Sequence, residues 1–435
     1  MIRPTPARRI AAVLAATALV LSACGDEGGG DDGEDDNPGA EDPATSAEPT
    51  GDGVLTFGTL LPATGDLAFL GPPEFAGVTL AVNDINAAGG VLGEDVVQVK
   101  GDSGDGTPDI AGAQVDKLLS RNSDVIVGAA SSGVSITVID KITGAGAVQF
   151  SPANTAAGFD TDEIDPNRLY FRTAPSDYLQ GEVLANQVIE DGFDNVAIMG
   201  RQDFYGEGLA ERTRDVLEEK GATVSEFILY NKDATGFTAE INQLAAAEPD
   251  AIVLITFAEI TTMIPQLIAK GLGPQDVQLY FVDGNLSNYP DEDFNLDGVK
   301  GTAPTSATPD PEFEELLKAT PPMGPDDALL YGPESYDAVI ISALAAIAAG
   351  DDSGEAIGAN IVDVTREGTK CTTFADCKTL LEDGEDIDYD GKSGQADMTD
   401  TGSLAAGTYG IYEYSGGENA YEEIDKVSGV VPQGE

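Results

Sequence analysis

The chain has 435 residues, with 77 acidic side chains against 22 Lys and Arg, a formal net charge of -55 and no histidine. So acidic a surface makes nucleic acid and bare anionic lipid poor partners, and the missing imidazoles exclude a Ser-His-Asp triad, a Cys-His pair and a histidine zinc site. The charge reads most simply as a solvating surface, which a saline habitat would screen.

At the start, Arg3, Arg8 and Arg9 precede an apolar run from Ile10 to Leu21. This is the layout of a secretory signal over 1–23, and the run is shorter than the ~20 residues that span a bilayer. Leu21-Ser22-Ala23-Cys24 resembles the lipobox of bacterial lipoproteins, which implies cleavage before Cys24 and acylation of that residue. Removing the three arginines takes the formal charge from -55 to -58. Residues 24–53 carry no Lys or Arg and almost no large apolar side chain, so they cannot bury enough to fold and are read as a tether. At ~5 to 6 Å times the square root of its length, it would stand the body off the membrane by roughly 30 Å.

From Val54 short β-rich runs alternate with amphipathic helical patterns, the mark of parallel sheets flanked by helices. Runs near 54–61, 95–100, 124–128 and 146–150 form a first set. Between them, Phe75, Val78, Val82 and Ile85 recur at helical spacing until Gly89-Gly90, and Thr107-Pro108 reads as an N-cap and first-turn proline. A second set near 195–200, 223–230, 251–256 and 278–283 repeats the pattern. The expected fold is α/β with two doubly wound lobes, the chain crossing between them around Tyr170 to Asp177. Residues 54–174 begin lobe 1 and 175–298 begin lobe 2. A buried helix at 335–349 belongs to a return to lobe 1 over 299–388, and 389–435, with the alternating strand Tyr409–Tyr414, returns to lobe 2. Cys371 and Cys377, six apart in an exported chain, are expected to pair with each other.

In open α/β sheets, ligands sit beyond the C-terminal ends of the strands. On lobe 1 that rule selects Pro62–Gly65, Gly128–Gly133 and Ser151–Thr155; on lobe 2 it selects Phe204–Gly206, Thr256–Phe257 and Asp283–Asn285. Hydroxyls and N–H groups at a helix start suit a carboxylate, and an aspartate opposite suits an ammonium group, so a zwitterion would satisfy both walls. Taken singly, each residue has a plainer role: Ser131 and Ser132 as helix caps, Asp283 as a turn residue, Tyr205 and Phe257 as core. Their joint placement at strand ends favours a site.

Thr59–Gly65, Ala81–Gly93, Phe171-Arg172-Thr173 and Tyr205–Gly208 together resemble the leucine/isoleucine/valine-binding family of type I periplasmic binding proteins. The resemblance covers essentially everything after the tether. It implies the type I periplasmic-binding-protein fold, two Rossmann-like lobes joined by a multi-strand hinge, and the last two lobe assignments above lean on it. It implies a monomer that hands a small ligand, most directly an aliphatic amino acid, to the permease subunits of an ABC transporter, needing no cofactor and touching the membrane only through its lipid. Matched by position, the carboxylate-binding serine falls on Ser132 beside Ser131, and the binding turn on Ala153-Asn154-Thr155. Thr155 would offer its N–H to the carboxylate and its hydroxyl to the ammonium. The acidic ammonium partner falls on Asp283, the second-lobe aromatic on Phe257, and Tyr205 near the hinge. Leu70 stands where several amino-acid binders have Tyr or Trp, and Asn154 where the turn has Ala, so side-chain selectivity stays open; urea, short amides and small carboxylates are alternatives, as is a surface receptor that senses rather than imports. The family's lobe-1 disulfide is absent, its positions falling near Asp105 and Ser131.

Other motifs weigh less. Ser131 sits in an Ala-x-Ser-x-Gly setting like a nucleophile elbow, but no histidine can serve it. Asp386, Asp388, Asp390 and Asp397 have the spacing of an EF-hand loop, yet Ser393 takes the usually apolar place and an aspartate the last ligand position, so no metal site is expected. Gly391-Lys392-Ser393 ends like a phosphate loop that lacks its first glycine.

Overall fold

The computed structural model describes residues 50–106, 109–161, 163–324 and 327–431. The signal segment, Cys24, the tether to residue 49 and the Thr107-Pro108 helix start lie outside them. The first sheet is parallel throughout, in the order β2-β1-β3-β4-β5: β1 (Thr56–Leu61), β2 (Val97–Asp102), β3 (Val125–Gly128), β4 (Val148–Ser151) and β5 (Tyr170–Arg172). Helices α1 (Gly71–Ala87), α2 (Ala111–Leu119) and α3 (Ser132–Thr143) connect them. Buried on both faces, β3 is the unbroken apolar run Val125-Ile126-Val127 rather than an alternating one.

After α4 (Asp177–Glu190) the same winding recurs. Strands β6 (Asn195–Arg201), β7 (Thr223–Tyr230), β8 (Ala251–Ile255), β9 (Gln278–Val282) and β10 (Lys300–Pro304) lie parallel in the order β7-β6-β8-β9-β10, with α5 (Gly206–Glu219), α6 (Thr238–Ala247) and α7 (Ile260–Ala269) between. Each lobe therefore reverses strand order beside its own first strand, which opens a crevice at that end of the sheet.

The chain then runs through α8 (Pro311–Ala319), α9 (Gly332–Ala349), α10 (Gly354–Asn360), β11 (Thr369–Cys371), α11 (Phe374–Glu382) and β12 (Ile387–Tyr389). These pack into the core of the first lobe: Val339, Ile340 and Leu344 of α9 meet Phe75, Val78 and Val82 of α1. At the α1–α9 crossing a side chain on Gly77 would put its Cβ 2.2 Å from the Gly332 carbonyl oxygen, so glycine sets the close approach. The chain ends in β13 (Ala406–Ser415), antiparallel to β10, and β14 (Ala420–Val430), antiparallel to β13.

Several sequence expectations need correction. Lys300–Pro304 was expected on lobe 1 but pairs with β9, because the fifth parallel strand of the second sheet comes after a long loop that hides its periodicity. Residues 389–405 were expected on lobe 2, but Tyr389, Met398 and Leu404 are buried in the lobe-1 core, and the return begins at Ala406. The tether ends sooner: the Thr50 and Gly51 N–H groups donate to Asp351 and that of Gly53 to Asp352, just beyond α9. Three segments thus pass between sheets, after β5, after β10 and before β13. Cys371 and Cys377 are joined, their Cα atoms 5.4 Å apart.

Candidate functional site

The loops at the C-terminal ends of both sheets converge on one pocket lined by Leu67, Leu70, Ala130, Ser131, Ser132, Ala153 and Thr155 from the first lobe, with Tyr205, Phe257, Asp283, Gly284 and Tyr331 opposite. The space between the walls is narrow, a cavity of about 20 Å³. A larger hollow of about 520 Å³ lies beside Arg168 and Glu355, at the wrong end of β4 and β5 for the strand-end rule.

The first wall is fixed by backbone carbonyls. Gly128 ends β3 at φ 125°, in the region that glycine alone enters without strain, and a Cβ there would lie 2.0 Å from the Leu60 carbonyl oxygen. The next carbonyl, of Ala129, accepts from Ser151 Oγ at 2.7 Å and Asn154 Nδ2 at 3.0 Å. Ser131 is the N-cap of α3, its Oγ accepting from the Val134 N–H, so the capping role holds for it while it also lines the pocket. Ser132 Oγ accepts from the Ala156 N–H at 3.4 Å, tying the two loops together. Asn154 does not reach the pocket. Its Nδ2 also donates to the Ala130 carbonyl and its Oδ1 accepts from Tyr170, so it braces the wall from behind. Thr155 does line it, and its hydroxyl, though buried, has no hydrogen-bond partner.

The second wall is aromatic and acidic. Asn285 locks the turn after β9: its Oδ1 accepts from the Val282 N–H, and its Nδ2 donates to the Leu254 carbonyl and Thr256 Oγ1. That holds Asp283 inward, where Oδ1 accepts from Gln180 Nε2 and Tyr205 OH, both at 2.8 Å, and Oδ2 from Tyr331 OH at 2.7 Å. Burial pushes the Asp283 carboxyl above its usual range, while the three donors, Tyr331 foremost, pull it back. The Tyr205 and Tyr331 phenols are pushed far up by burial and by the neighbouring acid, so they remain donors. Tyr205 stacks on Phe257, centroids 5.7 Å apart, and the Arg201 guanidinium lies 3.4 Å from the Phe257 centroid. Arg201 is held there by Asp203 at 2.6 Å and Glu259 at 2.9 Å. A buried, ion-paired guanidinium therefore faces the Phe257 ring.

The family model for periplasmic binding proteins matches residues 54–385. The chain belongs to that family. The chemotactic signal transduction system substrate-binding protein BasB of Halobacterium salinarum is 26% identical over 356 residues, covering 79% of this chain and 83% of the relative. Leu/Ile/Val-binding protein homolog 1 of Brucella abortus is 30% identical over 313 residues, covering 70% and 81%. Among solved structures, the leucine binding protein LivK of Thermotoga maritima superposes with a TM-score of 0.69 at 18% identity, covering 86% of this chain and 99% of that one. A solute binding protein of an ABC transporter from R. palustris, in complex with 4-hydroxybenzoate, gives 0.70 at 16%, covering 87% and 98%. At those identities the structures establish the fold, the type I periplasmic-binding-protein architecture expected from sequence.

Of the residues singled out in this periplasmic binding protein, eight gather at the pocket: Leu70, Ser131, Ser132, Ala153, Thr155, Tyr205, Phe257 and Asp283. Ala130 and Gly284 also line it, inside loops that the strand-end rule selected, whereas sequence reasoning missed Leu67 and Tyr331. Leu67 lies two residues past the selected Pro62–Gly65 turn; Tyr331 precedes a helix rather than following a strand, has a left-handed backbone at φ 63°, and reaches across to Asp283. The other motifs have structural partners. The Asp337 carboxylate accepts from Lys392 N, Ser393 N and Ser393 Oγ, filling the turn that looked like a phosphate loop. Asp388, Asp390 and Asp397 bring carboxylate oxygens within 4.8 Å of one another, but Lys370 Nζ already pairs with the first two at 2.9 and 3.0 Å. Among the described residues no helix is long and apolar enough to cross a membrane.

Proposed function

We propose that this chain is the extracytoplasmic solute-binding lipoprotein of an ABC importer, and that it captures a small zwitterion, an aliphatic amino acid, between its lobes. One observation carries the reading: a buried carboxyl, Asp283, and an unpartnered hydroxyl, Thr155, stand on opposite walls of one pocket, next to serines at a helix start. The ligand carboxylate would take Ser131, Ser132 and the Thr155 N–H, its ammonium would take Asp283 and the Thr155 hydroxyl, and its side chain would lie against Leu67, Leu70 and Phe257. The Leu/Ile/Val-binding relatives support this choice of ligand. Closure over the ligand excludes water and strengthens each contact. With no histidine as base, the ligand is bound and released unchanged. Acylation at Cys24 anchors the protein, which works as a monomer with its permease.

A thermal-shift panel tests the ligand: leucine, isoleucine and valine should stabilise the protein in proportion to the logarithm of concentration over Kd, and urea, short amides and benzoates should not. A second reading, an aromatic carboxylate, is favoured by the Tyr205–Phe257 stack and by the 4-hydroxybenzoate complex. It leaves Asp283 facing a ligand with no cation, so stabilisation by 4-hydroxybenzoate alone would replace the first reading. The chemotactic relative raises sensing in place of uptake; loss of amino-acid uptake on deletion of the gene separates the two.

A further inference from the structure

Asp177 opens α4 directly after the first crossing and is fully buried. Neither carboxyl oxygen has a hydrogen-bond partner, and neither does the hydroxyl of Thr155, the pocket residue beside it. That hydroxyl is near enough to ease ionisation of Asp177, though it makes no well-aligned bond. The charged and titratable groups around Asp177 are Asp283 after β9, Arg172 on β5, Asp160 at the end of the short 3-10 turn Ala157–Asp160, Tyr205 at the start of α5 and Tyr409 on β13. Arg172, the one cation of this group, is already engaged by Asp160, Ser403 Oγ and the carbonyls of Asn154 and Ala156. Were all three acids ionised, three negative charges would meet one positive charge in a desolvated space. An unpaired buried carboxyl avoids that by keeping its proton, and burial followed by the Asp283 charge does push Asp177 well up.

We propose that Asp177 is a positioning residue for the cationic end of the pocket: when an ammonium group settles against Asp283 and Thr155, Asp177 gives its proton to solvent. The Thr155 hydroxyl then donates to the new carboxylate and turns its lone pairs to the ammonium. The inference rests on the zwitterion reading. It makes the site select for amines twice, once through Asp283 in contact and once through Asp177 behind the wall, and it makes capture release a proton that an amine-free acid leaves in place.

Calorimetry of the mature protein with leucine, isoleucine, valine and 4-methylpentanoate, in buffers of different ionisation heat, counts that proton. About one should leave per amino acid and none with 4-methylpentanoate, and amino-acid affinity should rise about tenfold per pH unit below the Asp177 titration. In Asp177→Asn the release should vanish and the affinity become flat with pH; the wild-type buffer comparison stands even where the variant does not fold. Amino acids that bind with no proton exchange, or an Asp177→Asn protein that still releases the proton, overturn the role of Asp177 and leave the zwitterion reading intact. Binding of 4-hydroxybenzoate with none of the amino acids sinks the reading and this inference together.

Discussion

Replacing Asp283 with Asn removes one charge and little else. A carboxylate offers about four acceptor positions, and here Gln180, Tyr205 and Tyr331 occupy three. One position remains for a cation in the pocket. In Asp283→Asn the amide oxygen still serves Gln180 and Tyr205, and the Tyr331 hydroxyl turns from donor to acceptor, so folding should cost about 1 kcal/mol. Binding should suffer far more, because an ammonium enclosed without its counter-charge costs ~2 to 5 kcal/mol, which is roughly 30- to 5,000-fold in Kd. Thr155→Ala should cost less, about 1 to 2 kcal/mol, since the backbone N–H stays. Calorimetry with leucine and 4-methylpentanoate reads the difference: wild type should prefer leucine strongly, and Asp283→Asn should lose that preference while binding 4-methylpentanoate no worse. A folded Asp283→Asn protein that binds leucine as well as wild type does would refute the assignment of Asp283 to the ammonium.

Three more outcomes follow. Burial pushes Glu334 up to about 8 and Asp124 up to about 7, so between their unfolded values near ~4 and those figures the native state binds more protons than the unfolded state. Stability should therefore fall as pH rises across that window; a urea midpoint higher at pH 8 than at pH 5 would contradict the burial of these acids. The Cys371–Cys377 loop is short, so the chain-entropy estimate gives ~2 kcal/mol, and reduction should lower Tm by about 2 to 3 °C for a domain of this size; an unchanged intact mass on reduction would show that the two thiols were never joined. Cys24→Ala should move the protein from the membrane fraction to the soluble one, and a variant that stays membrane-bound would place the anchor elsewhere.

The sequence alone determined what depends on near neighbours along the chain. Strand and helix periods showed the alternation, two equal sets of strands showed the doubled winding, and the strand-end rule pointed to the loops that meet at the pocket, because side-chain direction follows from spacing. The pairing of Cys371 with Cys377 was legible for the same reason, six residues apart. Tertiary structure alone decided which loop side chains face inward. Asn154 sits between two pocket residues yet turns away, since the Ala129 and Ala130 carbonyls and Tyr170 satisfy it from behind. Asp177 and Tyr331 are drawn to Asp283 from 106 and 48 residues away, the former as an unpaired neighbour and the latter as a donor. Lys300–Pro304 joins the second sheet only because β9 and β13 leave a place between them. Such choices turn on which buried polar groups find partners across the fold, and a local period carries no record of that.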